Sequence, residues 1–197
     1  MRQLIFAILS FFLLTIPSLH AQTDTSPYAS RIISKIDTSK SGELFLIQEV
    51  TVHAPVEDLW HAYSTEEGWR SWSTPLVQME FKVNGTILSN YNVSGSIGDS
   101  TTNTLRIINH VPFRILTLQA DISKNWPEFM KEDVDDLYNV NIFEALSDNK
   151  SRLTSYGIGY KNTDKYQQLM GFFIKGNEWS FHKLLQYLEE GIAAVWE

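Results

Sequence analysis

TDKYQQLMGFFIKGNEWSFHKLLQYLEEG, residues 163–191, is the stretch that decides the fold. No proline interrupts it. Tyr166, Leu169, Met170, Phe173, Phe181, Leu184 and Leu188 recur at three- and four-residue spacings that place them on one face of a helix. Gly191 is the expected C-terminal cap, since glycine takes the left-handed conformation without steric cost. The pattern predicts one helix from Thr163 to about Glu190. Asn177 and Ser180 fall in the middle of its apolar stripe. A buried polar group without a partner costs about 1–3 kcal/mol, so two readings stand open. Either both side chains face a cavity and bond a ligand or water there, or Gly176 breaks the helix and Asn177 caps its second segment. Phe172 and Trp179 lie off the stripe and are expected to pack on a neighbouring element.

Everything between Leu44 and this helix reads mainly as strand. Leu44–His53 is β-rich and runs into Ala54-Pro55. Proline suits a first helical turn, and Glu57 and Asp58 suit the positive helix end. Val56, Leu59, Trp60 and Tyr63 then share a face, which predicts a short helix with Trp60 buried. Ser64 or Thr65 would cap a second short helix carrying Trp69 and Trp72. Val77–Val83 and Thr86–Val93 flank Asn84-Gly85, a two-residue hairpin signal. Thr101–Asn109 pairs with Arg114–Ala120 around Val111-Pro112, and Leu137–Leu146 pairs with Arg152–Tyr160 around residues 147–150. Lys124–Asp136, with Trp126-Pro127, is an acidic excursion expected to be solvated.

The order is thus a strand, two short helices, about six strands and one long helix: an α+β domain. A sheet with one long helix buries that helix across its concave face, and a straight cylinder against a curved sheet encloses a cavity. This order, with Ala54-Pro55-Val56, Leu59-Trp60, Trp72, Val83-Asn84-Gly85, Gly176-Asn177-Glu178-Trp179 and Leu184, Leu185, Leu188-Glu189, resembles the START/birch-pollen-allergen-like superfamily (SRPBCC). Within it, the chain is similar to the branch named for the C-terminal domain of the activator of the heat-shock ninety ATPase. The resemblance implies a helix-grip fold, a curved antiparallel sheet wrapped around the C-terminal helix with two short helices after the first strand. It also implies a cavity for an apolar small molecule, with a minority of members enzymatic and some acting on protein partners. Fold alone does not decide among these.

The N-terminus bears on compartment. Arg2, the apolar run Leu4–Ile16 and the small residue Ala21 before Gln22 are the parts of a secretory signal peptide. The run is shorter than the roughly 20 residues a membrane span needs. The chain contains no cysteine, which excludes a lipid-modified cysteine and, for an exported protein, fits a bacterial periplasm or outer surface better than a disulfide-rich secretory system. The expected organisation is a signal peptide over 1–21, a polar leader or short first strand over 22–43, the START-like domain over 44–191 and a tail over 192–197. Localisation is expected to be periplasmic or secreted, with no integral membrane association after cleavage. With 16 basic and 23 acidic residues, a net charge of −7 and no basic run, nucleic acid is not an expected partner.

No motif for nucleophilic, phosphate or dinucleotide chemistry occurs, and the five histidines show no metal-ligand spacing. No catalytic residue, metal or cofactor is assigned. An enzyme would need a cavity acid or base such as His110 or Glu144. Six tryptophans and 13% aromatic content exceed the needs of a core this size, and Trp60, Trp72, Tyr91, Tyr156 and Phe173 are candidates to line a pocket for a flat or fatty ligand. With the helix stripe, the candidate ligand-binding set is Trp72, Tyr91, Tyr156, Tyr166, Met170, Phe173, Asn177 and Ser180. The expected function is binding of a hydrophobic small molecule. The alternatives are a cofactor-free enzyme using the same cavity and a co-chaperone-like module with a protein partner.

Overall fold

The computed structural model describes residues 27–121 and 126–196; the segment read as a signal peptide lies outside them. Eight strands form one antiparallel, curved sheet. In chain order these are β1 (Ile32–Asp37), β2 (Glu43–Val52), β3 (Leu76–Met79), β4 (Thr86–Asn90), β5 (Asn103–Val111), β6 (Ile115–Asp121), β7 (Tyr138–Ser147) and β8 (Lys150–Lys161). Their order across the sheet is β1-β2-β8-β7-β6-β5-β4-β3. Between β2 and β3 come α1 (Val56–Ser64) and α2 (Glu66–Trp72). The short α3 (Glu128–Lys131) precedes β7, and α4 (Asp164–Glu190) lies across the sheet. This is the α+β helix-grip architecture expected from the order of elements.

Local chemistry explains the boundaries. Pro55 opens α1, and Thr65 accepts a hydrogen bond from the Gly68 N–H at 3.0 Å to cap α2. Gly191, at φ 69°, ends α4, with its own N–H on Tyr187 O and the Ile192 N–H on Gln186 O. Two expectations change. The β3–β4 hairpin is not closed by a two-residue turn at Asn84-Gly85. The closing pair is the Glu80 N–H on Thr86 O, and Phe81–Gly85 form a wider turn in which Asn84, at φ 63°, is left-handed. The acidic excursion is not wholly solvated either. Met130, Asp133 and Leu137 are buried, and Asp133 takes hydrogen bonds from Lys161 and from Tyr166 Oη. The Lys161 bond holds its carboxyl below the usual range despite burial.

The sheet also begins before Leu44. β1, in the stretch read as leader or first strand, pairs with β2 from Ile32↔Val50 to Asp37↔Phe45. Arg31 then bridges Glu189 near the end of α4, with its two guanidinium nitrogens on the two carboxylate oxygens at 2.5 and 2.9 Å.

Two apolar clusters fill the space between sheet and helices. One gathers Trp60, Phe143, Leu153, Phe181 and Leu184 under α1, α2 and the second half of α4; the other gathers Leu44, Met130, Leu137, Tyr166 and Met170 under its first half. Neither reaches the other. The gap between them coincides with the polar middle of α4.

Candidate functional site

The gap is a cavity of about 590 Å³ between α4 and the sheet, lined by residues of both clusters. That volume falls within the roughly 300–1,000 Å³ of small-molecule sites. Its floor is built by sheet register. Ser34 faces Gln48, Gln48 faces Ser155, and Ser155 faces Asn141, a polar row across β1, β2, β8 and β7. Gln48, Ser155 and Asn141 are buried, and a buried polar group must find a partner. Most do so within the row. Gln48 Nε2 donates to Ser34 Oγ at 2.9 Å, Asn139 Nδ2 to Ser155 Oγ at 2.8 Å, and Asn141 Nδ2 to Asn139 Oδ1 at 2.6 Å.

Helix α4 closes this row from above. It runs unbroken through Gly176, so Asn177 caps nothing and faces the cavity. Its Nδ2 donates to Gln48 Oε1 at 2.6 Å. Ser180 lines the same space one turn on. Substituting Asn177 with leucine is expected to lower the unfolding free energy by about 1–3 kcal/mol, because Gln48 Oε1 stays buried without its donor. Urea unfolding of the variant checks this, and an unchanged midpoint would mean that water replaces the amide at no cost.

Aromatic walls stand on either side. Trp69 and Trp72 come from α2, each with its indole N–H engaged by a carbonyl of α1, Tyr63 O at 2.7 Å and Ala62 O at 2.9 Å. Trp126, Tyr160 and Phe173 form the opposite wall, with ring centroids 5.8 Å apart for Trp126–Phe173 and 6.2 Å for Tyr160–Phe173. Burial raises the phenol of Tyr63 well above its ordinary range and that of Tyr160 to about 12. Both are neutral donors at any physiological pH. The open side is marked by exposed aromatics, Tyr91, Phe172 and Trp179. Phe172 thus does not pack away on a neighbouring element as expected, whereas Trp179 stands edge-on to Trp196 of the C-terminal tail, with ring centroids 6.0 Å apart. Beside them the tail folds back, with the Ala194 N–H on Ser71 O and Trp196 Nε1 on Arg70 O. Lys183 Nζ sits 4.1 Å from the ring centroids of both Trp179 and Trp196.

Of the eight residues in the candidate ligand-binding set, Trp72, Tyr91, Phe173, Asn177 and Ser180 line the cavity. Three do not. Tyr156 alternates with Ser155 and Gly157 along β8, and those two are the lining residues, so Tyr156 projects from the other face of the sheet. Tyr166 and Met170 are sealed in the lower cluster, where Tyr166 Oη donates to Asp133 Oδ2 at 2.9 Å. Trp60 belongs to the upper cluster. His110 lies against Trp60 and Phe81, and Glu144 pairs with Arg152; neither reaches the cavity. The reading of the sequence missed Gln48, Asn139, Asn141 and Ser155. Their signal was present as polar residues inside apolar strands, in Leu46-Ile-Gln-Glu-Val50 and Asn139-Val-Asn141.

Residues 53–189 match the family model described as Activator of Hsp90 ATPase homolog 1-like protein, and the chain belongs to that family. This is the branch that the sequence motifs resemble. No curated protein matches the chain. Among solved structures, the Aha1 dimer of Colwellia psychrerythraea superposes with a TM-score of 0.55 at 16% identity, over 75% of this chain and 97% of that one. A protein from Arthrobacter aurescens gives 0.58 at 13% identity, over 81% and 92%. CalU16 from Micromonospora echinospora gives 0.55 at 14%, over 80% and 83%. At these identities the likeness is one of fold alone. Among the described residues no helix is long and apolar enough to cross a membrane, and no group of three or more histidine, cysteine or acidic side chains could hold a metal ion.

Proposed function

We propose that this domain is exported and holds a hydrophobic small molecule between the sheet and α4. The observation that carries the reading is the cavity, an aromatic-walled space of ligand size that the two apolar clusters leave between them. Packed interiors close voids larger than a water molecule, so a space this large is the part of the fold that a binding role explains best. Acid–base catalysis finds less support. Among the described lining residues the one carboxylate is Asp121, exposed at the end of β6, and there is no lysine, arginine or histidine beside it. A chaperone-partner role would fit a filled interior better than this one.

Export to the periplasm or cell exterior rests on Arg2, the apolar run Leu4–Ile16 and Ala21-Gln22. One preparation tests both parts. Protein purified from the periplasm of its own cells should begin near Gln22 by N-terminal sequencing, and native mass spectrometry should show an added mass that organic extraction releases. Intact Met1 in a membrane-extracted form overturns export. A ligand-free mass in repeated preparations, with no hydrophobic probe bound, overturns the binding role.

A further inference from the structure

The outer side of α4, with the tail beside it, holds more apolar surface in water than a protein keeps exposed without a use for it. Phe172 is 69% exposed, Trp179 53% and Val195 80%, and Tyr91 and Ile192 are exposed as well. Singly such residues are ordinary; gathered, they mark a contact surface. They are gathered here. Tyr91, Phe172 and Trp179 rim the open side of the cavity, and Tyr91, Trp179, Lys183, Val195 and Trp196 border one hollow beside it. The tail, which follows the residues shared with the family, completes the patch. It is held down at two points, by the Ala194 N–H on Ser71 O at 2.8 Å and by Trp196 Nε1 on Arg70 O at 2.9 Å. Val195, between them, is left facing water.

Charge indicates what the patch faces. The protein carries a net charge of −7, yet this side of α4 is basic. Phe172, Lys175, Trp179 and Lys183 follow one another at three- and four-residue spacings and so share one side of the helix. Between Lys165 and Leu188 the one acid is Glu178. It is turned away from that side, accepting a hydrogen bond from Ser34 Oγ of β1 at 2.7 Å. Lys183 stands between the indoles of Trp179 and Trp196. Lysine set among tryptophan, tyrosine and phenylalanine suits the headgroup level of a bilayer. There indole and phenol rings bridge hydrocarbon and water, and ammonium groups meet lipid phosphate. Other occupants fit less well. A second copy on a two-fold axis would lay this basic patch against itself. A rigid protein partner would roof the open side of the cavity and leave a void beneath it. A bilayer surface is anionic and deformable, and meets neither cost.

We infer that this face docks the domain peripherally on an anionic bilayer, with Phe172, Trp179 and Val195 seated at headgroup level and Lys175 and Lys183 against lipid phosphates. The inference goes beyond the small-molecule role and does not depend on it.

Co-sedimentation with vesicles tests this, on protein taken from its own cells. It is expected to pellet about tenfold more strongly with an equal mixture of phosphatidylglycerol and phosphatidylcholine than with phosphatidylcholine alone. Molar salt should remove the preference. Phe172→Ser, Val195→Asp and Lys175→Glu should each weaken binding to the mixed vesicles about tenfold. All three side chains are exposed, so thermal unfolding of the variants should match the parent. The substitutions leave the run Leu4–Ile16 untouched, so a loss in any of them is owed to this face. Failure to pellet with the mixed vesicles overturns the inference, as does equal binding to both compositions or binding that none of the substitutions weakens. Self-association that Phe172→Ser breaks, without vesicle binding, overturns it in favour of a contact between copies. None of these outcomes touches the small-molecule role, which the added mass in native mass spectrometry decides.

Discussion

Replacing Trp60 with alanine is expected to lower the unfolding free energy by about 3–5 kcal/mol. The position follows from spacing: Val56, Leu59, Trp60 and Tyr63 share the buried face of α1, and Trp60 is 7% exposed. Its indole sits among other rings, with centroids at 5.1 Å to Phe143, 5.8 Å to Phe81 and 6.0 Å to Phe113. Edge-to-face pairs of this kind add about 0.5–1.5 kcal/mol each beyond the apolar area they bury. Three strands contribute to the cage or flank it, because Phe143 lies on β7, Phe113 follows β5, and Phe81 lies in the turn after β3. The truncation therefore leaves a hole that cannot close by moving one element. Urea unfolding at constant m-value checks the result. A loss under about 1 kcal/mol would mean that the cage repacks around the missing ring.

Gly159→Ala should cost about 2–5 kcal/mol for an unrelated reason. Gly159, in β8, has φ +86°, a left-handed conformation that a residue with a Cβ adopts only at a cost. A methyl there would also fall on the carbonyl oxygen of Asp136, just before β7. Backbone cannot move aside as a side-chain tip can. The strain would push the 128–137 segment away from β8, and with it Met130 and Leu137, which line the cavity. The same change should therefore loosen the site as well as the fold, seen as increased accessibility of Trp126 to acrylamide. Gly176→Ala is the contrasting control. Nothing lies within 4 Å of the position its Cβ would take, and it sits inside continuous α4. Alanine there should raise stability by up to about 1 kcal/mol. A melting temperature unchanged by Gly159→Ala would show that the β7–β8 junction adapts freely.

How much of this was legible in advance differs between elements. The run 163–191 announced α4 because its apolar residues, from Tyr166 to Leu188, keep helical spacing over about six turns and glycine ends it. Val56 to Tyr63 announced a buried Trp60 by the same rule. The β3–β4 turn was misread because Asn-Gly favours a two-residue turn only when the strands can run right up to it. Here the Asn84 N–H and Gly85 O are hydrogen-bonded to Ile107 of β5, and the turn opens instead. Tyr156 was misassigned because an aromatic residue in a strand carries no mark of which face it takes. Tyr166 and Met170 were on the right helix face but at its filled end.

The amino-acid sequence by itself determined the class of fold, the order of its elements, the family, and the polar interruption at Asn177 and Ser180. These are local properties, set by periodicities of two and 3.6 residues and by turn chemistry. The tertiary structure decided the site. Gln48, Ser155, Asn141 and Asn177 lie far apart in the chain and meet only through the register of β2, β8 and β7 and the passage of α4 above them. It decided also that Gly176 does not break the helix. Burial of α4 on either side of Gly176, at Tyr166 and Met170 before it and at Phe181, Leu184 and Leu185 after it, outweighs the roughly 1 kcal/mol that one glycine costs a helix, and the polar residues beyond it are thereby carried over the floor of the cavity.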